Sequence, residues 1–142
     1  MAEPQNQQIS EEQRAEWVRE QFQRANKHLA ENGVLFDTVV ASESRYLVPY
    51  VAVWKIKAQD NKKYWVMSGD LPADFTQEGN APNAREAIKY FSMMWQMKAA
   101  NLRASSPTDK AANDLATMLE TRAEGLYRIQ SYDELWAAQE QV

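Results

Sequence analysis

An α+β fold is predicted by the order of local signals along the chain. A helix-period apolar stripe comes first, two short strand-like runs follow in the middle, and three further helical stripes complete the sequence. The two runs are separated by the polar stretch Ala58-Gln59-Asp60-Asn61-Lys62, which reads as a hairpin turn. A small antiparallel sheet packed against about four helices satisfies this order.

Residues 1–9 are polar and read as a disordered tail, with residues 10–142 as a single α+β domain. Ser10 offers an N-cap and Gln13, three residues on, the reciprocal capping-box side chain. A helix follows to about Asn32, with Val18, Phe22, Ala25 and Leu29 on one face and Trp17 and Gln21 beside them. Gly33 stands where a left-handed residue closes the helix without a Cβ clash. Residues 34–40 form a third strand or an extended lead into the core, and Pro49 argues against a central strand position nearby.

The hairpin is expected to pair 50–57 with 63–68 around a two-residue Asp60-Asn61 turn. That register sets Ile56 opposite Trp65 and Trp54 opposite Met67 on one face. It sets Lys57 opposite Tyr64 and Lys55 opposite Val66 on the other. The apolar side chains then gather on one side and both lysines leave the core, whereas a slip of one residue would bury a lysine.

Asn83 and Glu86 make a further N-cap and N3 pair, beginning a helix to about Ala104 with Ile88, Phe91, Trp95 and Leu102 inward. Ser106 as cap, Pro107 at the first helical position and Asp109 at N3 start the next helix, with Ala112, Leu115, Leu119 and Leu126 inward and Gly125 weakening its end. Ser131 and Glu134 cap a short last helix that carries Leu135 and Trp136.

Composition narrows the function. The 142 residues are 44% hydrophobic and 25% charged, which suits a globular domain. Sixteen basic against 20 acidic residues give a net charge of −4 and no basic run, which disfavours nucleic acid as a partner. Without cysteine there is no disulfide, thiolate metal site or cysteine nucleophile. No apolar stretch is long enough to span a membrane, and the N-terminus lacks the pattern of a secretory signal. The expected location is the cytoplasm.

Catalytic combinations are scarce. His28, the only histidine, precedes inward-facing Leu29 and so points sideways or outward, with no second imidazole for a metal or triad. Asp70 and Asp74 follow the second strand of the hairpin. Two carboxylates suit acid–base work or a divalent cation, yet no EF-hand spacing or phosphate cradle accompanies them. The favoured role for Asp70 is an Asx turn, with Pro72 starting a single helical turn. Arg45 or Arg85 is expected to pair with one of these carboxylates and lock the loop, or to present a fork to an anionic ligand. No catalytic residue, metal or cofactor is expected.

The aromatic residues suggest a different use. Tyr46, Tyr50 and Tyr64, with Val51, Val53 and Val66, fall on or near the second face of the hairpin. That face is too apolar for open solvent, so a later helix covers it or it binds something. Trp17 and Trp136, near helix ends, are weaker hints of an interface. Met93, Met94 and Met97 read as core filler, but an outward Met93 would mark a partner surface.

The segments SESRYLVPYVAVWKIK, YWVMSGDLPADF and NAREAIKYFSMMWQ together resemble a family of short uncharacterised gammaproteobacterial proteins catalogued as a domain of unknown function. The likeness runs over roughly residues 15 to 136. It implies a self-contained bacterial cytoplasmic domain and carries no activity across, but it groups Arg45, the Gly69–Pro72 stretch and Arg85 as polar features to test. The combined expectation is a non-catalytic interaction module of adaptor, inhibitor or immunity type, with a protein partner or a homodimer. The alternative is a small-ligand binder or enzyme using the Asp70/Asp74 loop with Arg45 or Arg85.

Overall fold

The computed structural model describes residues 9–140, and the disordered-tail reading of 1–9 falls almost wholly outside them. The described residues hold four α-helices and a five-stranded antiparallel sheet, an α+β fold as the sequence predicts. The chain divides into two compact units, 1–76 and 77–142. Among the described residues no helix is long and apolar enough to cross a membrane.

The first unit opens with α1 (Glu11–Glu31). Ser10 accepts the Gln13 N–H while the Gln13 side chain accepts the Ser10 N–H, so the capping box is complete. Gly33 closes the helix at φ 81°. The strands follow as β1 (Phe36–Val39), β2 (Arg45–Leu47), β3 (Val51–Ala58), β4 (Lys63–Gly69) and β5 (Asp74–Gln77). The order across the sheet is β1-β3-β4-β5, with β2 also pairing β3. Residues 34–40 thus do contribute a strand, and β2 and β5 are two more that periodicity did not reveal. At three and four residues they are too short to show a period of two.

β1 and β2 share one edge of β3, pairing with its C-terminal and N-terminal halves respectively. Between them a 3-10 turn, Ala41–Glu43, lifts the chain away from β3. Backbone pairing is completed there by other means. Val40 N–H donates to Lys55 O, and Lys55 N–H donates to the hydroxyl of Ser44.

The hairpin register differs from the expected one by a single residue. Its loop is Gln59-Asp60-Asn61, with Asn61 at φ 69° as the left-handed residue. Ile56 therefore lies opposite Tyr64, Trp54 opposite Val66, and Lys55 opposite Trp65. One extra loop residue exchanges the two faces of β4 relative to β3. Trp54, Ile56, Tyr64 and Val66 share the face that packs on Ala25 and Leu29 of α1. Phe22 of α1 meets the rings of Phe36 and Trp54 edge-on at 5.3 and 5.2 Å. On the opposite face, Val51, Val53, Trp65 and Met67 are fully buried, and Lys55 is only 5% exposed.

The second unit contains α2 (Ala84–Ser105), α3 (Lys110–Ser131) and α4 (Asp133–Glu140). Asn83 caps α2 by accepting the Glu86 N–H at 2.8 Å. Asp109, not Ser106, caps α3, because its carboxylate accepts the N–H groups of both Ala111 and Ala112. Ala116, Leu119, Ala123 and Leu126 are buried on α3, while Leu115 stands 40% exposed. α3 runs through Gly125 to Ser131, whose hydroxyl donates to Arg128 O within its own helix and does not cap α4. The Ser92 hydroxyl of α2 donates to Ala123 O of α3, a buried tie between the two helices.

Candidate functional site

The sequence singles out two places, the loop after β4 and the tyrosine-bearing hairpin face. At the first, Gly69 has φ 145°, and a Cβ there would lie 2.5 Å from Tyr50 O. Only glycine allows β4 to end against the start of β3. The Asp70 N–H donates to Tyr50 O at 3.0 Å, and the Asp70 side chain is exposed. Asp74 is half-buried, and its carboxylate accepts the N–H of Phe75 at 2.8 Å.

Both arginines expected at these carboxylates are bonded to other groups. Arg45 donates to the carbonyls of Ser42 and Ser44, closing the 3-10 turn. Arg85 donates to Gln130 O and Asp133 and lies over the Trp136 ring, 5.8 Å from its centroid, so it fastens the end of α3.

The arginine that organises the loop is Arg24, which sequence reading passed over. From α1 it donates to the carbonyls of Gly69 and Leu71 and to Gln21 Oε1. Beside it, Trp54 Nε1–H donates to the Ser68 hydroxyl, which donates to Gln21 O. Helix and strand end are thus joined by a chain of satisfied polar groups. The spacing of Gln21 and Arg24, one turn apart on α1, is the only signal that would have paired them.

The tyrosines do not form one surface. Tyr64 is buried, and its hydroxyl donates to Asp60 at 2.9 Å; burial, then this bond, raises its pKa. Asp60 is held below its ordinary value chiefly by the Lys62 N–H, with the Tyr64 hydroxyl adding to the effect. Tyr46 is half-buried against Trp54, and burial raises its pKa although Arg45 opposes this. Tyr50 alone of the three is well exposed, in the turn before β3. Val51, Val53 and Val66 have no exposure at all, so the second hairpin face is not an open docking surface. Trp17 packs beside the α1 core and Trp136 is buried with its Nε1–H on Ile129 O.

Lys55 is the unexpected charged group. Its ammonium lies 3.0 Å from Glu43 and 4.4 Å from the centre of the Trp65 ring. The 3-10 turn between β1 and β2 supplies this carboxylate, so the irregular edge and the buried lysine belong together.

Exposed large apolar side chains include Leu35, Tyr50, Leu115, Tyr127 and Tyr132, and three neighbouring ones on α2. Met93 and Met97 are 50% and 55% exposed and Met94 is 38% exposed. Beside them, between α2 and α3, Gln96, Glu120 and Glu124 line an open groove of about 390 Å³. Glu120 is held by Arg103, whose guanidinium lowers its pKa and which also donates to Thr117. Among the described residues no group of three or more His, Asp or Glu side chains is gathered to hold a metal.

Comparison with curated proteins and with solved structures gives no match. Residues 11–136, the span from the start of α1 to Trp136, match the family described as "Domain of unknown function (DUF4826)", and the chain belongs to that family.

Proposed function

We propose that this protein is a non-catalytic protein-interaction module of the bacterial cytoplasm, an adaptor, inhibitor or immunity-type binder, that meets its partner through the outer face of α2. The observation that supports this is the exposure of Met93, Met94 and Met97 along one helix. Methionine is flexible and polarizable, which suits it to an adaptable contact surface, and three exposed neighbours exceed the scattered apolar residues of an ordinary surface. The alternative, a ligand site at Asp70 and Asp74, has less support, since Arg45 is engaged by Ser42 and Ser44 and Arg85 by Gln130 and Asp133.

The test is capture from lysate of the source cells, quantified by mass spectrometry, with wild type compared against Met93→Asp. Circular dichroism checks that the variant folds. A near-stoichiometric protein retained by wild type and lost by the folded variant is the expected result. Equal capture by both removes α2 as the surface.

A further inference from the structure

Thiol redox chemistry is closed to this chain, because it has no cysteine. Its methionines are then the side chains that oxidise and recover, from thioether to sulfoxide and back. Their placement is uneven. On α2, Met97 follows Met94 by three residues and Met93 by four, so the three side chains are neighbours on the helix surface. All three are exposed, whereas Met118 of α3 is half-buried and Met67 of β4 has no exposure.

The contacts that hold α2 in place lie away from these sulfurs. Ile88, Phe91, Trp95 and Ala99 on the other side of the helix are buried. The Asn83 cap fixes its start, and the Ser92 hydroxyl ties it to α3. A sulfoxide oxygen on Met93 or Met97 stays in water and leaves those contacts as they are. On Met67 the same oxygen would enter the core without a partner, which opposes folding.

We infer that Met93, Met94 and Met97 form a reversible oxidation site for peroxide, through which the outer face of α2 turns from apolar to polar while the fold is kept. In the forward step a thioether lone pair attacks one peroxide oxygen. An S–O bond forms as the O–O bond breaks, and the departing hydroxide takes the proton of the transferred oxygen and leaves as water. Sulfur loses two electrons and the peroxide gains them. In the return step a sulfoxide reductase supplies two thiols, which become a disulfide as the oxygen leaves as water. The inference stands whether or not α2 meets a partner.

The test is dilute hydrogen peroxide added to the full chain, with each methionine followed by peptide mass spectrometry. Met93 and Met97 are expected to react at least about tenfold faster than Met67, which is reached only when the fold opens. The helical circular dichroism signal should persist, and the thermal midpoint should move by less than about 3 °C. On a hydrophobic-interaction column the oxidised chain should elute earlier. Dithiothreitol with one reductase for each sulfoxide epimer should return it to its first position. The triple variant Met93→Leu, Met94→Leu and Met97→Leu, which keeps the face apolar, should not shift. In the source cells, with protein synthesis blocked, a peroxide pulse should raise sulfoxide at 93 and 97 above that at Met67, and the level should then fall. Equal reaction at Met67 and Met97, unfolding that accompanies the α2 sulfoxides, sulfoxides that both reductases leave in place, or no rise in the cells overturns the inference.

Discussion

Lys55 decides more about the sheet than any other single residue. A lysine among valines and tryptophans reads as a marker of the solvent face, and that reading selects the wrong hairpin register. In the fold it is buried because Glu43 and Trp65 stabilise its charge on the spot. Removing only the carboxylate, by Glu43→Ala, takes from a buried ammonium the charged partner that lies 3.0 Å from it and should cost about 1–3 kcal/mol. Lys55→Met removes the charge together with its need for a partner and should be near neutral, within about 1 kcal/mol. Urea denaturation of the two variants checks this ordering. Gly69 is the other decisive residue. Gly69→Ala forces a Cβ against Tyr50 O and should cost about 1–3 kcal/mol, read as a lower thermal midpoint.

At the scale of elements, helices were the more legible part of the sequence. α1 and α2 begin where the Ser10–Gln13 and Asn83–Glu86 signals place them, since a cap is a local interaction between residues three apart. The start of α3 was misplaced because Ser106 and Asp109 are both competent caps, and the carboxylate accepts two N–H groups at once. β3 was visible as a strand but its partner faces were not. Both of its sides are buried, so alternation carried little information about register, and the loop length settled it. Of the candidate site, Arg24 was illegible because its partners lie 45 and 47 residues away and are backbone carbonyls, which carry no sequence signature. The hairpin loop and the α2–α3 pair each hold a carboxylate below its ordinary value, Asp60 and Glu120, with ordinary values of 3.8 and 4.5. A depressed carboxylate stabilises the fold above its unfolded pKa, and that stabilisation is lost as pH falls through the folded value. The urea midpoint should therefore fall on acidification below about pH 4.5, and Asp60→Asn with Glu120→Gln should flatten the decline.

For the whole molecule, the sheet unit has Trp54, Tyr64 and Trp65 buried. The helical unit exposes Met93, Met94 and Met97 on α2, with Leu115, Tyr127 and Tyr132 exposed elsewhere. The second hairpin face was expected to be covered or to bind something, and Val51, Val53 and Val66, assigned to it, are buried, so the proposed role as an interaction module rests on α2. The most direct measurement is photo-crosslinking in the source cells, with a photoreactive amino acid at Met97 on α2, and at exposed Gln23 on α1 as control. A discrete heavier adduct from position 97, absent from position 23, is the predicted result. No adduct from position 97, or the same adducts from both positions, would contradict a partner surface on α2.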